Sequence, residues 1–198
     1  MGRISTEVVG MGPGRHAVAV LGAGRGALVM AVFGVGWLGR GLGQAKAFNG
    51  FTGPAFGFTA LLLAACPIYF IRQGRLLRRK HRAVGGPTQQ TTRKWFILVA
   101  AIEVLAIALA SILANRWHRS DLATDWSAMI VGIHFLPLAK IFRAPNLDVL
   151  GVLMTLGCAF CWTLLRSSAL TISVSLGTGT LLWGACVSAL FRARAITG

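Results

Sequence analysis

Apolar stretches separated by short polar or basic connections set the pattern of this chain. Each stretch approaches the roughly 20 residues that an α-helix needs to cross the hydrocarbon core of a bilayer. Six are read from the sequence, over residues 17–43, 54–71, 95–115, 126–142, 147–165 and 170–191. The fold expected is all-α, a polytopic transmembrane bundle of about six spans in one piece over residues 16–198. Residues 1–15, with Pro13 and no helical periodicity, are expected as a poorly ordered tail. The first span begins either at Ala17 or after Arg25, and the run is too long and lacks the cleavage pattern of a removed signal peptide. Pro67 predicts a kink near the far end of the second span. Residues 72–94, which open on Arg72 and close on Lys94, carry eight Lys and Arg together with Gly85, Gly86 and Pro87, and are expected as a loop.

Composition agrees with the pattern. Of 198 residues, 55% are hydrophobic and 13% charged, too few polar groups to cover a soluble domain. The net charge of +15 would suggest nucleic acid in a soluble protein. Here the basic residues sit between apolar runs, where topology explains them, so no nucleic-acid partner is expected. Alternating the connections between two sides gives fifteen Lys and Arg on the side of the termini and five on the other. Both termini are therefore expected in the cytoplasm and the protein in the inner (plasma) membrane, with Trp95, Trp117 and Trp126 at the interfaces. The 72–94 connection would face anionic lipid headgroups.

Residues 18–27, VAVLGAGRGA, match a dinucleotide-binding fingerprint in spacing. That site needs a βαβ unit and an acid about 20 residues on, and no Asp or Glu lies between Glu7 and Glu103. The glycines are read instead as helix packing, through Gly22 with Gly26 and Gly39 with Gly43, spacings that also allow a homo-oligomer.

Candidate chemistry lies in the third and fourth spans. Glu103 follows Lys94 by nine residues, and His134 follows Asp125 by nine. At 1.5 Å per residue each lies about 13 to 14 Å into a core about 30 Å thick, near the midplane. Their spans are joined by a short connection and should pack as antiparallel neighbours, which permits a contact. A carboxylate at that depth costs roughly 2.5 to 3.5 kcal/mol on insertion scales, so Glu103 should face the protein interior, paired or protonated. Glu103 and His134 are the expected proton-transfer residues, and Arg25, Trp37, Phe135 and Trp162 the expected substrate contacts. The simpler reading is an interhelical hydrogen bond without function. Pro137 frees backbone groups one turn earlier, around His134, while Lys140 lies nearer the span end and should snorkel.

Cys66, Cys158, Cys161 and Cys186 all fall inside spans. Cys158 and Cys161 share a helical face, but a zinc site needs two further ligands at their depth, so neither metal nor disulfide is expected. His16, His81 and His118 lie at ends or in connections, which leaves no pair of intramembrane histidines for haem, and no cofactor is expected. Trp117, His118, Arg119, Asp121 and Asp125 read as a polar cluster in the connection between the third and fourth spans, either the mouth of a cavity or a solvated turn.

The string GIHFLPLAKIF at positions 132–142, with Arg25 and Glu103, resembles small six-span bacterial integral membrane proteins of uncharacterised function. The resemblance covers the last five spans and implies no activity. Two function classes are left by the residues. Transport or permeation of protons or a small solute would use the midplane pair and the proline-broken fourth span. A lipid-phase enzyme would use Glu103 as general acid on an apolar, isoprenoid-like substrate, with Trp37, Phe135, Phe160, Trp162 and Trp183 stabilising a developing cation; a second embedded acid is not evident. A non-catalytic accessory subunit is the third alternative.

Overall fold

The computed structural model describes residues 13–80, 87–142, 144–165 and 167–197. Among these residues the chain is all-helical: α1 (Pro13–Gln44), α2 (Thr52–Lys80), α3 (Pro87–Arg116), α4 (Ser120–Phe142), α5 (Pro145–Leu164) and α6 (Ser167–Thr197). Each contains a stretch long and apolar enough to cross a membrane, the make-up of a multi-pass membrane protein.

Every helix is longer than the apolar run that announces it. The segment expected as a basic loop is mostly helix, because α2 continues to Lys80 and α3 already starts at Pro87; only residues 81–86 lie outside the described part. Arg, Leu, Lys and Gln are good helix formers, so the helix need not stop where the apolar run does. An i, i+4 bond from Gln73 Nε2 to Tyr69 Oη, 3.1 Å, spans the change, and Pro87 occupies a first turn, where its missing N–H costs nothing. At the other end of the chain α1 begins at Pro13. Residues 13–15, expected in the tail, are thus helical, and the rest of that expected tail, residues 1–12, lies outside the described part. Pro67 and Pro137 both sit inside continuous helices.

Two compact units account for the contacts. The first comprises Met1–Phe33, Gly53–Gly85 and Trp183–Gly198. Here α1 and α2 cross where glycines remove the side chains: a Cβ on Gly24 would lie 3.1 Å from the Ile71 nitrogen and 3.2 Å from the Pro67 oxygen, and one on Gly74 2.9 Å from the Leu21 nitrogen. The glycines expected to pack, Gly22 and Gly26, have open space around them, and Gly43 has only Phe48 at 3.8 Å. Two residues along a helix is about 200° around it, so Gly22 and Gly26 point away from the face that Gly24 presents. Ala27, Ala31 and Cys186 form the core of this unit, and Trp183 stacks on Phe56 while its indole N–H donates to the Ala31 carbonyl at 3.3 Å.

The second unit comprises Gly34–Thr52 and Gly86–Leu182. In it α3 packs on α4 and α4 on α5. The α3–α4 turn closes with the Arg119 N–H bonded to the Ala114 carbonyl at 2.8 Å and His118 at φ 54°, a left-handed helix end in which a histidine takes the place usually given to glycine. Two residues, 143 and 144, separate α4 from α5, and two, 165 and 166, separate α5 from α6. Connections this short force antiparallel neighbours. The α4–α5 crossing is close: a Cβ on Gly151 would lie 2.7 Å from the Gly132 oxygen, and one on Gly132 3.0 Å from the Thr155 nitrogen. On α6, Gly179 meets Leu38 and the Gly34 oxygen of α1.

Candidate functional site

The α3 helix offers α4 a narrow stripe. Glu103, Ala106, Ile107, Ala110 and Ala114 are buried or half-buried at three- and four-residue intervals, whereas Ile102, Val104, Leu105, Leu109 and Ile112 are exposed. Alanines on that stripe let the two helices approach, and the exposed isoleucines, leucines and valine give α3 an apolar outer face. Three side-chain pairs tie α3 and the turn that follows it to α4. Trp117 meets Trp126 edge to face at one end, with ring centroids 5.9 Å apart, and Phe96 meets Phe142 at the same separation at the other. Between them Glu103 Oε2 lies 3.3 Å from His134 Nε2.

The contact between Glu103 and His134 that their depths allow is therefore present. Their side chains are 17% and 9% exposed, so the pair is largely withdrawn from the surface. With one proton between them the two groups are neutral overall, whether written as carboxylate with imidazolium or as carboxylic acid with imidazole. That neutrality lowers the cost of holding them in apolar surroundings. A proton gained or lost would leave the pair with a net charge. The hydroxyls on these two helices near the interface bond to their own backbones, Ser111 to the Ile107 carbonyl at 2.8 Å and Ser127 to the Ala123 carbonyl at 2.6 Å.

Of the expected substrate contacts, Phe135 is beside the pair, its ring centroid 6.2 Å from that of His134. Its Cβ also faces Gly151 of α5. Trp37 packs instead against the cluster of Ala128, Cys158, Leu170 and Val174. Trp162 and Phe160 are exposed, and Arg25 is an exposed residue of the first unit. The aromatic cage that cation-stabilising chemistry requires is not gathered around Glu103 among the described residues. All four cysteines are free thiols, and no group of three or more His, Cys, Asp and Glu has the arrangement of a metal site among the described residues.

A second polar cluster corrects the reading of the chain. Asp125, expected in a polar connection, is in α4 and only 6% exposed, so the second interior acid missing from the sequence reading exists. Trp126 is a misleading start marker, because α4 begins six residues before it, at Ser120. Thr124 of α4 and Thr171, Ser175 and Thr178 of α6 are buried in the same unit, and Cys158 of α5 has Thr178 as hydrogen-bond partner and Asp125 as an electrostatic neighbour. The recurrence of Thr171, Ser175 and Thr178 at i, i+4 and i+7 is the available sequence signal, a hydroxyl stripe on an otherwise apolar helix.

Against protein-family models, curated proteins and solved structures alike, the chain has no match. Any function therefore has to be argued from these residues alone.

Proposed function

We propose that this protein moves protons, alone or with a small solute, through a membrane, with Glu103 and His134 as the site where the proton is held. The observation carrying the reading is the 3.3 Å contact between a carboxylate oxygen and an imidazole nitrogen midway along two helices of membrane-spanning length. Ionisable groups are costly at such depth and are usually retained for what they do. Measured from Lys94 along the apolar part of α3 and from Phe142 back along α4, both lie about 12 to 14 Å from the same end of their helices. Protonation of either member changes the charge of the pair, which is the property a coupling or relay site needs.

The distribution of Lys and Arg, fifteen against five by side, supports an inner-membrane orientation with both termini in the cytoplasm. In that orientation the basic ends of α2 and α3 meet anionic headgroups. The lipid-phase enzyme is the weaker reading, because Trp162 and Phe160 turn outward and Trp37 packs elsewhere.

Proton flux into liposomes containing the purified protein tests the proposal. Wild type should acidify or alkalinise the lumen down an imposed gradient, and Glu103→Gln and His134→Ala, at equal reconstitution, should reduce the rate by at least about tenfold, the scale of losing one proton-transfer group. Undiminished flux in both folded variants would refute the role of the pair.

A further inference from the structure

The first unit contains no Asp or Glu among its described residues, so neither Arg25 nor Arg75 has an acid of its own unit beside it. The crossing of α1 and α2 fixes where these two point. Leu21 lies against Gly74 and Ile71 against Gly24, so three residues forward on α1 match three back on α2 and the helices run antiparallel. Arg25 follows Gly24, and Arg75 follows Gly74, by one residue, a turn of about 100° past the crossing on each helix. In an antiparallel pair those two steps turn to the same side. The other side is covered by α6, where Ala27 and Ala31 of α1 pack on Cys186 with Leu63 of α2. Arg25 and Arg75 therefore flank one open furrow, and both are exposed.

Their levels agree as well. By the same register the two residues are about 7 to 8 Å apart along the helix axes. Side chains lean toward the N-terminus of their own helix. On α1 that carries Arg25 toward Arg75, and on antiparallel α2 it carries Arg75 toward Arg25, so the guanidinium groups approach one level. Arg72 and Arg79, about one turn to either side on α2, are exposed too. Arg25 lies six residues inside the apolar part of α1, Ala19–Gln44, and Arg75 two residues inside that of α2, Thr52–Leu77. Deeper along the furrow, at seven-residue steps from the arginines, Val32, Ile68 and Leu61 are exposed.

We propose that this furrow binds one anionic phospholipid, its phosphate held between Arg25 and Arg75 and an acyl chain lying along Val32, Ile68 and Leu61. Charge selects the headgroup, because two converging guanidinium groups repel one another and a phosphate accepts paired N–H bonds from each. Place selects a lipid over a free anion: both arginines are within the apolar parts of their helices, and the surface beside them is hydrocarbon. General attraction of basic helix ends to an anionic membrane requires no fixed stoichiometry, whereas this site holds a single lipid. Arg25, expected as a substrate contact, becomes a lipid contact. The site is independent of Glu103 and His134, which belong to the second unit.

Native mass spectrometry of the delipidated protein in detergent counts retained lipid, with phosphatidylglycerol and phosphatidylcholine of the same acyl chains as probes. Wild type should retain one phosphatidylglycerol at a concentration where phosphatidylcholine is not held. Arg25→Gln and Arg75→Gln should each weaken retention at least about tenfold, the scale of losing a hydrogen bond to a charged group. The double variant should be little worse than either, since both arginines act on one phosphate, and Arg40→Gln, at the far end of α1, should change nothing. Equal retention of the two lipids, retention unchanged in either folded variant, or displacement of the lipid by an equal concentration of inorganic phosphate would overturn the proposal. A wild-type dimer that holds no lipid and dissociates in Arg25→Gln would give the furrow to a second copy and overturn it equally. Circular dichroism checks the helical fold of each variant, and either substitution decides alone should the other not fold.

Discussion

Replacing Gly151 by alanine asks a quantitative question of the α4–α5 crossing. The new Cβ would lie 2.7 Å from the carbonyl oxygen of Gly132, with Leu136 at 3.1 Å and the Phe135 Cβ at 3.2 Å. Ordinary contact begins at 3.4 Å, so the helices must part locally by about 0.7 Å. The obstructing atom is backbone and cannot swing aside, and overpacking of this kind costs about 1 to 3 kcal/mol. Alanine also gains about 1 kcal/mol of helix propensity over glycine, which would mask part of the loss. Gly157 supplies the correction: it lies on the same helix, and a Cβ there meets nothing within 4 Å, so Gly157→Ala takes the propensity gain without the clash. The difference between the two variants isolates the crossing. Thermal unfolding in detergent should place Gly151→Ala roughly 2 to 12 °C below Gly157→Ala, using the usual shift per kcal/mol for a chain of this size. Equal midpoints would show that the helices are not in contact at Gly132 and Gly151.

The same contrast applies to the first unit, where Gly74→Ala, aimed at the Leu21 backbone, should be destabilised by about 1 to 3 kcal/mol and Gly22→Ala should not; chemical unfolding in mixed micelles reads the difference. Trp183→Phe keeps the stack on Phe56 and loses the hydrogen bond to the Ala31 carbonyl, and should cost about 0.5 to 1.5 kcal/mol in the same assay.

The six helices and the Glu103 to His134 contact were readable from sequence because both follow from counting. Apolar run length fixes how many helices can span, and a rise of 1.5 Å per residue places two isolated polar residues at one depth. Counting fails where structure depends on which way a helix face points. Gly22 and Gly26 have the spacing of a packing motif and Gly24 does the packing, because spacing gives a face without saying what lies against it. Helix ends failed for another reason: at Lys80, Pro87 and Ser120 the helix continues through polar residues, and hydropathy reports the environment of a residue and not its backbone. Asp125 was misplaced by that error, since a span begun at Trp126 leaves it in solvent.

Correct helix limits also change what α4 is. With Asp125 inside it, this helix bears ionisable groups on two opposite faces, one against α3 and one toward α5 and α6. Neither of those two faces can lie against hydrocarbon, because either would expose a carboxyl or an imidazole, and the exposed residues Ile133, Pro137 and Lys140 of α4 lie on a different stripe. Both faces must be covered, and the cover differs: α3 offers a thin stripe of alanines around one acid and keeps an apolar face outward, whereas α5 meets α4 backbone to backbone at Gly132 and Gly151. The tight side resists displacement of α4, while the α3 side is held by two aromatic pairs and one carboxyl–imidazole contact. Motion associated with protonation at Glu103 and His134 is therefore expected to be taken up by α3, leaving α4, α5 and the Asp125 cluster as the fixed frame.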